Sequence, residues 1–146
     1  MIALIQRVSS ASVEVQGQTV GAIGRGILAL VGVEATDSEP VSRQLLEKIL
    51  SYRIFPDNAG KMNLDLRQIG GDLLLVPQFT LVANTAKGNR PSFSHGATPE
   101  RARELFQALL RAAAASHSPV ASGVFGADMQ VQLVNDGPVT FLLKAT

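Results

Sequence analysis

Cysteine is missing from all 146 residues, which rules out disulfides and thiolate metal sites and is compatible with a reducing cytoplasm. Histidine is nearly as scarce. Only His95 and His117 occur, and without cysteine or a spaced acidic partner two isolated imidazoles do not make a zinc site; both read as solvated loop residues. Net charge is close to nil: 13 basic and 12 acidic side chains leave +1, so the chain has no overall electrostatic footprint for gripping long nucleic acid, and any RNA contact must be local. No apolar run is long enough to cross a bilayer. The opening Met-Ile-Ala-Leu-Ile-Gln-Arg lacks a basic stretch leading into an apolar segment and cleavage site, so no secretory signal is expected. Also absent are a G-x-S-x-G elbow and a phosphate-cradling G-x-x-x-x-G-K-[ST]. Gly24 to Ala29 matches G-x-G-x-x-A formally, but it leads into an apolar strand, and no helix N-terminus follows to hold a pyrophosphate.

What is present points to an α+β domain. A length of 146 residues suits one domain, residues 1–146, with a real core. Alternation predicts strands at Ile2 to Arg7 and Ala11 to Val15, the latter turning at Gln16-Gly17-Gln18 into Thr19 to Ile23 as a hairpin. Ile27 to Val33 and Leu73 to Val76 read as buried strands, and Asp57 to Gly60 as a turn between two short ones. Ser38-Glu39-Pro40 and Thr98-Pro99-Glu100 each supply a capping residue with proline in the first turn. Behind them Val41, Leu45, Leu46, Ile49 and Leu50, and then Ala102, Leu105, Phe106, Leu109, Leu110 and Ala113, recur at helical spacing. Val120 to Phe125, Gln130 to Val134 and Val139 to Leu143 complete the strands. Many strands with two amphipathic helices that do not alternate regularly with them imply mostly antiparallel pairing, in a barrel-like or two-sheet core.

Two stretches resist a purely structural reading. Asn135-Asp136-Gly137-Pro138-Val139-Thr140 looks like a hairpin turn, since Asp-Gly between alternating runs is a common hairpin signal. Pro138, however, removes a backbone donor where the returning strand should begin to pair. In Val76-Pro77-Gln78-Phe79-Thr80-Leu81, a plain strand would send Phe79 and Leu81 into the core and leave Gln78 and Thr80 on the other face. The break at Pro77 also frees nearby N–H groups from ladder pairing, which is what an oxyanion site requires. Asn84 to Gly96, with Lys87, Arg90 and His95, is a loop of a length uncommon in compact domains unless functional or disordered.

Together these stretches resemble the D-aminoacyl-tRNA deacylase family, whose motifs read Ser-Gln-Phe-Thr-Leu and Asn-x-Gly-Pro-Val/Phe-Thr. The likeness extends to Met1 through Val8, Tyr52-Arg53-Ile54-Phe55, Gly60-Lys61-Met62-Asn63, Arg90-Pro91-Ser92-Phe93-Ser94 and Ala127-Asp128-Met129. The one departure is Pro77 where the family has serine; it offers neither hydroxyl nor N–H, so neither group can take part in a mechanism here.

The resemblance implies a cytoplasmic homodimer that hydrolyses the ester joining a D-amino acid, or glycine, to the 3′-terminal ribose of tRNA, without metal or organic cofactor and without membrane contact. It places Gln78, Phe79 and Thr80 at the reacting ester. It also implies that the Gly137-Pro138 bond is cis and enters the partner subunit's pocket, where its carbonyl oxygens accept the substrate ammonium and exclude an L side chain. Arg7, Asn135, Val139 and Thr140 would support that tip. Phe125 and Met129 would lie near the terminal adenine, where an aromatic face can stack on a base. Lys87 and Arg90 are candidates for phosphates near the acceptor end, although a solvated loop is the simpler account. Threonine is a weak nucleophile and no base is evident beside Thr80. The expected chemistry is therefore polarisation of the ester carbonyl by backbone N–H groups around Phe79 and Thr80, with attack by water assisted by the tRNA ribose hydroxyl. The alternatives are a non-catalytic module binding the tRNA 3′ end, and a related deacylase that accepts a small L-amino acid.

Overall fold

The opening strand, β1 (Ile2–Val15), is the one on which the sheet is laid. The computed structural model describes residues 1–146. β1 turns through Gln16 and Gly17, both at positive φ, into β2 (Gln18–Ile23), which pairs back antiparallel along Ala11 to Val15. β3 (Gly26–Gly32) then pairs antiparallel with Ile2 to Val8. After α1 (Glu39–Ser51), the small hairpin β4 (Phe55–Pro56) and β5 (Met62–Leu64), and the single turn α2 (Leu66–Ile69), the chain re-enters the sheet. There β6 (Asp72–Pro77) lies parallel to β3. A 3-10 turn (Phe79–Val82) and α3 (Pro99–Ser116) lead to β7 (Val120–Ser122), parallel to β6. Finally β8 (Gln130–Lys144) runs antiparallel along the other edge of β1 from Glu14 to Ile2. The ladders to β2, β3 and β8 and the β4–β5 pair are antiparallel, and the two that need a helical crossover are parallel.

Alternation along each strand divides the core in two. Ala3, Ile5, Ile27, Ala29, Leu73 and Leu75 face α1 and α3 in the larger cluster, while Val8, Val13, Leu28, Leu74 and Val76 fill the curl of the sheet. Phe55, Phe106, Leu45 and Ile49 are fully buried; truncating such side chains to alanine typically costs about 2–5 kcal/mol. The curl nearly closes. A side chain at Gly21 would meet the Ser122 carbonyl at 2.8 Å, so glycine is what lets β2 approach β7.

Both long helices stand where capping and periodicity place them, but their starts differ. Thr98 Oγ1 accepts from the Arg101 N–H at 3.3 Å, whereas Ser38 occupies the N-cap of α1 without any side-chain cap bond. The strand expected over Val120 to Phe125 stops at Ser122. His117 is not merely solvated. It ends α3, and its Nε2 lies 2.7 Å from the Gly71 carbonyl.

The largest correction concerns Asn135 to Thr140. Its flanks do not form a hairpin with each other, because both belong to β8 and both pair with β1. The register runs Val8 opposite Asn135 and Gln6 opposite Thr140, so Arg7 alone on β1 faces an excursion of Asp136, Gly137, Pro138 and Val139 on β8. Proline is tolerated there because those residues have left the ladder.

Candidate active site

The strand β6 ends at Pro77, and the chain turns at once into the 3-10 helix Phe79–Val82. This replaces the expectation that Phe79 continues a strand inward: Phe79 is 64% exposed. The Gln78 N–H still bonds the Val31 carbonyl at 2.7 Å and is consumed by the fold. Leu81 and Ala83 donate to the carbonyls of Gln78 and Thr80. The N–H groups of Phe79 and Thr80, at the start of the helix, have no acceptor in the protein. Unpaired donors at a helix start are what a developing negative charge needs. The Gln78 side-chain amide donates to Thr80 Oγ1, the only side-chain bond of that hydroxyl, so no carboxylate or imidazole stands ready to take its proton.

Beside this turn is a cavity of about 430 Å³, lined by Val76, Pro77, Gln78, Phe79, Phe125 and Met129 among others. Its walls are built from behind. Phe125 packs against Phe106 at 6.4 Å between ring centroids, and the Arg103 guanidinium carbon lies 5.1 Å from the Phe125 ring centroid. The Met129 sulfur accepts from the Val124 N–H at 3.4 Å. It packs so close to Gly123 that a side chain there would lie 2.8 Å from it. Phe93, from the long loop, packs at a tilt against Phe79, with ring centroids 5.2 Å apart. That loop is tied down by paired bonds between Asn84 and Ser92, and Lys87 and Arg90 lie exposed on it.

The Gly137-Pro138 tip stands apart. Its peptide bond is cis and Gly137 has φ +141°. Arg7 Nε donates to the Asp136 carbonyl at 2.9 Å, and its Nη1 to the Ile54 carbonyl at 2.7 Å. Asn135 Oδ1 accepts from the Val139 N–H at 2.9 Å, and Asn135 Nδ2 donates to Thr140 Oγ1 at 2.9 Å. Val139 packs on the larger core cluster. Gly137 and Pro138 are exposed, and no residue from 135 to 140 lines the cavity.

The model of the family described as D-Tyr-tRNA(Tyr) deacylase matches residues 4–144. The chain belongs to that family. A protein of Alkalilimnicola ehrlichii named D-aminoacyl-tRNA deacylase is 61% identical over 145 residues, covering 99% of this chain and 97% of that one. A protein of the same name from Methylococcus capsulatus is 62% identical over 144 residues, covering 99% and 94%. Among solved structures, the c-Myc DNA Unwinding Element Binding Protein superposes with a TM-score of 0.95 at 38% identity, covering 100% of this chain and 99% of that one. A probable eukaryotic D-amino acid tRNA deacylase superposes at 0.82 with 16% identity and 97% coverage of each, a likeness of fold alone.

The residues singled out in the sequence fall into two groups. Gln78, Phe79, Phe125 and Met129 share one cavity, with Thr80 beside it; Arg7, Asn135, Val139 and Thr140 surround Gly137 and Pro138 elsewhere. Sequence reasoning passed over Gln6, whose amide reaches Thr140, and Phe93 and Arg103, which brace the cavity aromatics. Gln6 sits beside Arg7 in the opening motif and carried the only signal available; nothing in the sequence pairs Phe93 with Phe79.

Proposed function

We propose that this chain hydrolyses D-aminoacyl-tRNA, and glycyl-tRNA, to free amino acid and tRNA, as proofreading of translation in the cytoplasm. The observation that carries the reading is the pair of unclaimed N–H groups at Phe79 and Thr80 beside the cavity walled by Phe125 and Met129. In it the terminal adenine stacks on Phe125 against Met129, and the ester carbonyl oxygen lies at the two N–H groups. Water, assisted by the neighbouring ribose hydroxyl, adds its oxygen to the acyl carbon. The acyl–oxygen bond breaks, and the ribose 3′-oxygen leaves with a proton. Oxyanion donors of this kind are worth about 3–4 kcal/mol each in the transition state. Thr80 orients the turn and is not the nucleophile, and Pro77 supplies wall only. Residues 1–146 act as one domain, and no metal or organic cofactor enters the reaction.

Stereochemistry is read by a second copy. The tip lines no part of the cavity of its own chain, and β8 has no strand on its outer edge while exposing Leu133, Val134 and Leu142. An unpaired apolar edge invites a second chain. In the homodimer the partner's Gly-Pro carbonyl oxygens accept the substrate ammonium and leave no room for an L side chain, while glycine, having none, passes. Lys87 and Arg90 meet phosphates near the acceptor end. The 38% identical neighbour is named for binding a DNA element; a net charge of +1 gives this chain little of the basic surface that duplex binding needs.

Incubation with D-Tyr-tRNA, L-Tyr-tRNA and Gly-tRNA tests the reading. Release from the D and glycyl substrates but not the L substrate is expected. Release from none would make the chain a tRNA 3′-end binding module, and release of L-tyrosine would mean an altered pocket.

A further inference from the structure

We propose that Gln6 is a positioning residue for the stereochemical filter, acting through the Thr140 hydroxyl; this rests on the reading that the Gly137-Pro138 tip is that filter. Neighbours on a strand project to opposite faces, so Gln6 and Arg7 reach the excursion from its two sides. Arg7 holds the start of it, through the Asp136 carbonyl at 2.9 Å. Gln6 holds the end. It lies directly across the ladder from Thr140, and its Nε2 donates to Thr140 Oγ1 at 3.3 Å.

Thr140 Oγ1 also accepts from Asn135 Nδ2 at 2.9 Å. A hydroxyl oxygen has two acceptor positions and one hydrogen to give. Both acceptor positions are filled by amides, so the hydroxyl is fixed in orientation and its hydrogen points away from them. Asn135 in turn takes the Val139 N–H at 2.9 Å. The chain Gln6, Thr140, Asn135, Val139 N–H therefore anchors the last residue of the excursion to β1.

Without the Gln6 amide, Thr140 Oγ1 has a vacant acceptor position and is held by Asn135 alone. The side-chain link from the end of the excursion to β1 is then lost and only the ladder register at Thr140 remains, while Arg7 still grips the start, and the loop can pivot about the Arg7 bond. A pivot alters where the tip carbonyls point but not the Phe79 and Thr80 N–H groups, which lie on another element. Loss of Gln6 should thus relax discrimination and leave turnover of the D substrate nearly intact. One neutral hydrogen bond sets the scale, about two- to tenfold in the ratio.

The experiment measures kcat/KM for D-Tyr-tRNA and L-Tyr-tRNA, with L release followed at high enzyme concentration, together with Tm. It compares the intact protein with Gln6→Leu, Thr140→Val, the double variant and Gly137→Ala. Expected is a fall in the D:L ratio of about two- to tenfold in Gln6→Leu, arising from faster L release, with the D rate and Tm retained. In the Thr140→Val background Gln6→Leu should add nothing, because the acceptor is already gone. An unchanged ratio in Gln6→Leu overturns the proposal, as does an equal fall of both rates or a full additional effect in the Thr140→Val background. Gly137→Ala separates the two levels. A side chain there meets the Val139 Cγ2 at 2.6 Å, so if that variant leaves the ratio intact, the tip is no filter and the functional reading itself fails.

Discussion

Arg7 Nε donates to the Asp136 carbonyl at 2.9 Å while its Nη1 donates to the Ile54 carbonyl at 2.7 Å, so one guanidinium joins β8's excursion to the segment after α1. The Asp136 carboxylate adds an ion pair at 3.5 Å, but it is 53% exposed and so contributes little. Lysine has no planar fork and cannot hold two carbonyls at fixed angles. Arg7→Lys is therefore expected to cost about 1.5–3 kcal/mol of stability, read from urea unfolding, and to lower the D:L ratio of kcat/KM. A variant with the expected loss of stability but undiminished stereospecificity would separate Arg7 from the filter.

Phe125 presents its ring to the cavity with Arg103 and Phe106 packed around it. Base stacking on an aromatic side chain is worth about 1–3 kcal/mol. Phe125→Ala should accordingly raise KM for D-Tyr-tRNA about 5- to 100-fold with a far smaller change in kcat, since the ring does not touch the ester. A drop confined to kcat would place the adenine elsewhere.

The helices, the β1–β2 hairpin and the buried strands were legible because period and capping are local properties. The short α2 was legible too, though unread. Asp65 and Gln68 form a reciprocal capping box in it, and Asp-x-x-Gln is the signal for one. What was hidden needed distant partners. Asn135 to Thr140 has the composition of a hairpin turn, and nothing local tells whether its flanks pair with each other or with a third strand; β1, more than a hundred residues away, decides it. Likewise Pro77 announces a break, but whether Phe79 then turns inward or outward depends on Val31, which takes the Gln78 N–H, and on Phe93, which meets the ring outside. The cavity aromatics were nameable by resemblance, whereas Arg103 behind Phe125 follows only from the way α3 packs.

Arg67 grips Glu47 with both fork nitrogens, at 3.1 and 2.8 Å, linking α2 to α1. Hydrogen bonding to Arg67 holds the Glu47 carboxyl below its ordinary value of 4.5, against a smaller opposing effect of burial. A carboxyl with a lowered folded pKa stabilises the protein above the ordinary value, and loses that contribution as pH falls through the lowered one. Both partners are more than a third exposed, so Arg67→Gln is expected to cost less than about 1 kcal/mol at pH 7. In urea titrations the gap between variant and intact protein should narrow as pH drops below 4.5. A gap that stays constant to strong acid would mean that Arg67 acts through packing.

The decisive test of the chemistry must remove a backbone N–H, and Phe79 is where that can be done with little disturbance. It is the first residue of its helix, a position that suits proline, and its N–H has no acceptor to lose. Gln78 before it sits at φ −141° and ψ 81°, outside the helical region that a following proline disfavours. Phe79→Pro and Phe79→Ala both forfeit the ring and its contact with Phe93, but only the proline forfeits the donor. If the N–H stabilises the oxyanion, Phe79→Pro should turn over D-Tyr-tRNA about 10²- to 10³-fold more slowly than Phe79→Ala in single-turnover assays. Thr80→Ala, which keeps both N–H groups, should lose far less. Equal rates for the proline and alanine variants, both folded by circular dichroism, would remove Phe79 N–H from the mechanism. Complete loss in Thr80→Ala would move the chemistry to the hydroxyl.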